Sequence, residues 1–247
     1  MPSHDPYSTD GDDVGVLLPF YVCVDVSFSM AGEPLNAAQE LFPELVDALS
    51  SDPILSDLAR VSLVEFSDSC DVLIPLGDPR DIVSFPGLRA QSGTNYGELF
   101  KRLRQNIYSD VNALKQDGYR VYRPMVFMIT DGAPTDTDWH FDFKLLTEYD
   151  RRTGEGNRLY PTVVPFGVGN ADLDVLRECT HPPRRSRFYV ARDGVTAAQA
   201  IAEMTKLILS SVVASTASVA HGDGLVLIQP PPESGIRTDD TGSDDWI

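Results

Sequence analysis

The chain has 247 residues, 42% of them hydrophobic, which suits one large buried core with short tails. Its formal net charge of −17 gathers at the ends. Residues 1–13 carry Asp5, Asp10, Asp12 and Asp13 with no Lys or Arg, and from His221 onward six acids face only Arg237. Such charge argues against nucleic acid and membrane surfaces as partners and favours a cation or a basic protein surface.

Residues 1–13 read as a flexible acidic arm, 14–220 as the folded domain, and 221–247 as an acidic, Pro-containing tail. The run from Val14 to Asp25 is almost unbroken in its apolar character, as expected of a strand covered on both faces. From Pro34 to Ser51, Leu35, Ala38, Phe42, Leu45 and Leu49 recur at helical spacing, with a kink expected at Pro43. Strands at 60–66 and 70–75 are joined by Ser-Asp-Ser, a link short enough for a hairpin and an antiparallel edge strand. A helix over 96–116 precedes the apolar strand 125–130. Helix 139–152, strand 162–167, helix 172–179, strand 187–191 and helix 196–214 follow. Residues 225–229 form a candidate edge strand stopped by Pro230-Pro-Pro232, and the remainder has the composition of a flexible tail. The alternation specifies an α/β fold: a doubly wound, mostly parallel central sheet with one antiparallel edge strand and helices on both faces.

Sheets of this kind bind ligands beyond the carboxyl ends of their strands. The first strand ends in Asp25-Val-Ser27-Phe-Ser29, the strand at 125–130 in Thr130-Asp131-Gly132, and Gln91-Ser-Gly-Thr94 opens the helix between them. Each residue alone reads as a cap or turn former. Together, Asp25, Ser27, Ser29, Thr94 and Asp131 form a hard-oxygen donor set suited to Mg²⁺, with Mn²⁺ or Ca²⁺ as alternatives, and not to zinc or copper.

These three elements resemble the metal-ion-dependent adhesion site of von Willebrand factor A (vWA) domains, with Asp25-Val-Ser27-Phe-Ser29 as its Asp-x-Ser-x-Ser element, Ser92-Gly-Thr94-Asn95 as its threonine loop and Thr130-Asp131-Gly132 as its third. The resemblance covers roughly residues 14–215. Ser29-Met-Ala-Gly-Glu-Pro-Leu, Leu49-Ser-Ser-Asp-Pro and Thr130-Asp-Gly-Ala-Pro-Thr-Asp are most similar to the bacterial tellurium-resistance TerY-like branch, although Phe28 stands where those proteins commonly have Gly. The resemblance implies a Rossmann-like fold, direct metal ligation by Ser27 and Ser29, direct or water-mediated ligation by Thr94, and Asp25 and Asp131 as water-bridged acceptors. It also implies an exchangeable coordination position that takes a Glu or Asp of a partner protein.

The remaining signals are weaker. Gly167-Val-Gly169-Asn-Ala-Asp172 lacks the full dinucleotide fingerprint and reads as a tight turn. The four histidines have no ligand spacing, Trp139 and His140 read as packing residues, and Arg184, Arg185 and Arg187 as a solvated loop. Cys23, Cys70 and Cys179 form neither a paired framework nor a zinc knuckle. No leader pattern or apolar run near ~18 residues is evident, so the expected location is cytoplasmic. The expected function is a divalent-cation-dependent protein-binding module, a scaffold in a stress or tellurium-resistance complex, and not an enzyme. The rival readings are Mg²⁺-dependent phosphate-ester hydrolysis, which Ser27 disfavours by replacing the second acid of an Asp-x-Asp pair, and self-association through Asp239, Asp240, Asp244 or Asp245 of the tail.

Overall fold

The computed structural model describes residues 14–183, 185–220 and 226–239. The expected arm 1–13, Arg184 and the tail residues 221–225 and 240–247 lie outside these. The order of elements starts with β1 (Val16–Asp25), α1 (Glu33–Ser50), α2 (Pro53–Leu58), β2 (Ala59–Phe66), β3 (Cys70–Gly77) and α3 (Tyr96–Gln116). It continues with β4 (Arg120–Val121), β5 (Met125–Thr130), α4 (Trp139–Thr147), β6 (Thr162–Gly167), α5 (Leu173–Glu178), β7 (Phe188–Ala191), α6 (Ala197–Ala220) and β8 (Ile236–Asp239).

Every residue of β1 from Leu17 to Asp25 is buried, because both faces of this central strand are covered. The two-residue period divides its side chains between two cores. Phe20, Val22 and Val24 join Phe127 and Ile129 of β5 beneath α1 and α6, whereas Tyr21 and Cys23 join Val126 and Met128 beneath α3 and α4. The sheet order is β3-β2-β1-β5-β6-β7-β8, with β4 beside the start of β1. β1 runs parallel to β2 and β5, as does β6 to β5 and β7, while β3 pairs antiparallel with β2 as the short link predicts. The chain winds outward in opposite directions from β1, so the topological switch point lies between β1 and β5.

Several boundaries differ from the sequence expectation. α1 runs through Pro43 from Glu33 to Ser50, within a residue of the expected span at each end. α4 stops at Thr147, not at 152, because Asp150 N donates to Glu155 O and Tyr149 bridges Gly156 in a tight loop. Gly156 sits at φ +94°, where a Cβ would meet Glu148 O at 2.4 Å, so this loop position is closed to any other residue. α6 extends to Ala220, since its Ser and Ala residues contain no breaker before His221-Gly222. By length and composition Ala197–Val219 is apolar enough to cross a membrane (mean hydropathy 1.3), a run the sequence reading overlooked. In the fold its Ala200, Ile201, Met204, Ile208 and Val212 are buried in the core shared with α1 and the sheet.

The expectation of a flexible tail after Pro232 is corrected over residues 236–239. β8 pairs antiparallel with β7, from Ala191↔Ile236 to Phe188↔Asp239, and Ile236 is fully buried. It supplies a second antiparallel edge strand. The candidate strand at 225–229 does not form over its described part. Val226 N instead donates to Ser215 Oγ (2.9 Å) and Ile228 N to Ser211 Oγ (3.1 Å), so α6 hydroxyls satisfy this backbone in place of a ladder.

Candidate metal centre

At the switch point Asp25 ends β1 with no solvent exposure. Its Oδ1 accepts from Ser27 N (2.8 Å) and its Oδ2 from Thr130 Oγ1 (2.7 Å), at the end of neighbouring β5. Burial pushes the Asp25 carboxyl up from its ordinary value, opposed by the hydrogen bonds from Ser27 and Thr130. One turn of 3₁₀ helix, Phe28–Met30, then reverses the chain and brings Ser29 back over Ser27. The two hydroxyl oxygens lie 3.0 Å apart, and Ser29 Oγ donates to Asp131 Oδ1 (2.8 Å). With the Ser29 proton on Asp131, Ser27 donates to Ser29. Asp131 is half-buried, and burial raises its carboxyl while the Ser29 bond opposes the rise.

Thr94 reaches the same edge on a loop pinned from three sides. Gln91 N donates to Val26 O (2.7 Å), Asp68 N to Ser92 O (3.0 Å) and Asn95 N to Ser67 O (2.7 Å). Thr94 itself is clamped by Thr135: its amide donates to Thr135 Oγ1 (3.2 Å) and its carbonyl accepts from Thr135 N (2.9 Å). Gly93 enters this loop at φ +74°, with the Asp68 carboxylate where a side chain would stand. Asp25, Ser27, Ser29 and Asp131 are thus joined by hydrogen bonds, while among the described residues the Thr94 loop is tied to the end of β1 only through Gln91 N and Val26 O.

Three supporting residues escaped sequence reasoning. Thr130 links the carboxyl ends of β1 and β5 through Asp25. The buried Tyr96 hydroxyl bridges Thr130 Oγ1 (3.2 Å) and Gly132 O (3.0 Å). Asp136 caps α3 from a distance, its two oxygens accepting from Tyr96 N and Gly97 N at 2.9 Å each. The Thr-Asp-Gly-Ala-Pro-Thr-Asp motif contained Asp136, but spacing alone cannot reveal a cap that comes from another loop.

The other flagged residues lie apart. Trp139 is buried against Tyr96 and Phe100 behind the site, and His140 pairs with Glu178 (2.8 Å) at the surface. Gly169 (φ +58°) makes the expected turn, and Asp172 caps α5. Phe28 projects from the 3₁₀ turn between Ser27 and Ala31 with 67% of its surface exposed. All three cysteines are buried and free, and burial pushes each thiol up, that of Cys70 to about 12.

A doubly wound sheet with oxygen donors at its switch point defines a class of ligand-binding α/β domain. The family model for the von Willebrand factor type A domain matches residues 20–203, and the chain belongs to that family. Its members are commonly protein-interaction and adhesion modules. Among solved structures the chain is similar to proximal thread matrix protein 1 from the mussel byssus (TM-score 0.55, 18% identity, covering 81% of this chain and 49% of that one). Another structure of that protein has a zinc-occupied metal-ion-dependent adhesion site. It is also similar to a von Willebrand factor type A protein from Catenulispora acidiphila (TM-score 0.55, 15% identity, 81% and 42% covered). The pilus adhesin SpaC from Lactobacillus rhamnosus GG gives the same TM-score at 14% identity, with 81% and 30% covered. The chain therefore spans half or less of the length of these structures, and the likeness concerns the fold. No curated protein matches.

Proposed function

We propose that this chain is a divalent-cation-dependent protein-binding module, in which Asp25, Ser27, Ser29, Thr94 and Asp131 hold Mg²⁺ and a partner's Glu or Asp completes the coordination. The observation that carries this reading is the Ser27–Ser29–Asp131 chain of oxygens at the carboxyl edge of the sheet. Ligands at Mg²⁺ distances occupy neighbouring octahedral vertices about 2.8–3.0 Å apart. The two serine oxygens already stand at 3.0 Å, a hydrogen-bond distance that Mg²⁺ coordination would require little change to meet. Asp131 accepts the Ser29 hydrogen bond and orients that hydroxyl, while Asp25 fixes the Ser27 backbone.

When bound, a cation held mainly by neutral hydroxyls keeps its demand for an anionic ligand. Binding is favoured over catalysis by the residues themselves. Both Asp25 oxygens are engaged, position 27 offers no second acid, and the cysteines stay protonated. The motifs that resemble the TerY-like branch suggest a scaffold in a bacterial stress or tellurium-resistance complex, acting in the cytoplasm.

Calorimetric titration of Mg²⁺ into the metal-free chain tests the site. We expect 1:1 binding that Ser27→Ala abolishes. Capture of a protein from native lysate in Mg²⁺, lost in EDTA and in Ser27→Ala, supports the metal-bridged partner. A partner retained equally in all conditions refutes it.

A further inference from the structure

At the opposite end of the sheet, before β5 and β6 begin, three adjoining depressions of about 410, 300 and 440 Å³ share Arg123 in their walls. Arg151 and Tyr160 line the first and third, and Arg185 the second and third. In a chain of net charge −17, guanidinium groups crowded together call for an explanation. Among the described residues none of Arg123, Arg151 and Arg185 has an ion pair. The nearby acids are engaged elsewhere, Glu148 with Lys144 (3.5 Å) and Asp150 with Arg152 (3.8 Å).

The arginines turn instead to a phenol. Arg123 Nη2 donates to Tyr160 Oη (2.6 Å), and its guanidinium lies 4.1 Å from the centre of that ring. Burial raises the Tyr160 phenol, but the hydrogen bonds and charges of Arg151 and Arg123 outweigh it and lower the group overall. In the same wall the buried Nε2 of His181 has no hydrogen-bond partner among the described residues, with its ring edge-on to Tyr160 at 5.5 Å. The guanidinium groups of Arg123, Arg151 and Arg185 and this imidazole nitrogen all line the third depression, together with Glu148, whose carboxylate pairs with Lys144.

We propose that this hollow is a binding site for a compact phosphate-bearing anion. A dianionic phosphate offers three acceptor oxygens, matching three guanidinium forks better than the two oxygens of a single carboxylate. The net charge of −17 disfavours a long polyanion, which the chain as a whole would repel.

The probe is inorganic triphosphate, titrated calorimetrically into the full chain without divalent cation at low and at physiological ionic strength. We expect saturable 1:1 binding that weakens with salt, is unchanged in Ser27→Ala, and falls at least roughly tenfold in an Arg151→Gln/Arg185→Gln double variant. Both side chains are exposed, so the double variant keeps its fold, which circular dichroism checks. Absence of saturable binding, equal affinity in the double variant, or equal affinity for a hexa-aspartate peptide would overturn the proposal. The outcome is separate from the Mg²⁺ reading, which rests on the other end of the sheet.

Discussion

Replacing Asp136 by Ala removes the carboxylate that takes the first two amides of α3, Tyr96 N and Gly97 N, at 2.9 Å each. Both residues are buried, so the amides lose a charged acceptor and gain little water. A hydrogen bond to a charged group contributes about 1.5–3 kcal/mol, and an acid at a helix N-terminus about 0.3–1 kcal/mol more. Water reaching the half-buried loop recovers part of this, leaving an expected loss of about 2–4 kcal/mol. Asp136→Asn keeps one acceptor oxygen and is expected to lose about half as much. Urea unfolding measures the effect as a drop in midpoint at constant slope. Mg²⁺ affinity is expected to fall as well, because Thr94 precedes this helix start and its amide depends on Thr135 from the same loop. A variant within about 0.5 kcal/mol of the wild type would refute the idea that Asp136 holds the threonine loop to the sheet.

Phe28→Ala is expected to change stability by less than about 0.5 kcal/mol, since the ring is largely exposed, yet to alter affinity for a captured partner; unfolding and binding measured side by side separate the two. Phe127→Ala, at the centre of the sheet between Phe20 and Phe166, is expected to cost about 3–5 kcal/mol by denaturant melts. Burial, then the charge of Arg123, lowers the His181 imidazole to about 4. The unfolded chain takes up that proton near pH 6.5, so stability is fully present above that pH and declines as pH falls toward 4. For this half-buried ring we expect a contribution of about 1–2 kcal/mol, and His181→Gln flattens the pH dependence measured by thermal melts across the window. An unchanged slope in that variant would mean other groups dominate.

The central strands were legible because burial on both faces leaves a continuous apolar run, which β1 and β5 show without interruption. The oxygen donors were legible because each immediately follows such a run or opens a helix. What escaped reading depends on contacts distant in sequence. β8 has four ordinary residues, Ile-Arg-Thr-Asp, and becomes a strand through the free edge of β7. Residues 226–228 have strand composition but find α6 hydroxyls before any ladder. The end of α4 is set by Gly154 and Gly156, whose positive φ closes a loop over residues with helical pattern. Tyr96 and Asp136 were hidden for the same reason, since their partners lie more than thirty residues away.

The antiparallel return of β8 has a consequence for how the domain can be attached. β1 enters the sheet at its amino edge and β8 leaves it there, with Asp239 beside Phe188. Sequence flanking the fold on either side is therefore tethered at one pole, while the serine hydroxyls crown the other. A fluorophore or fusion partner joined through Asp239 is therefore attached at the pole away from the serine hydroxyls.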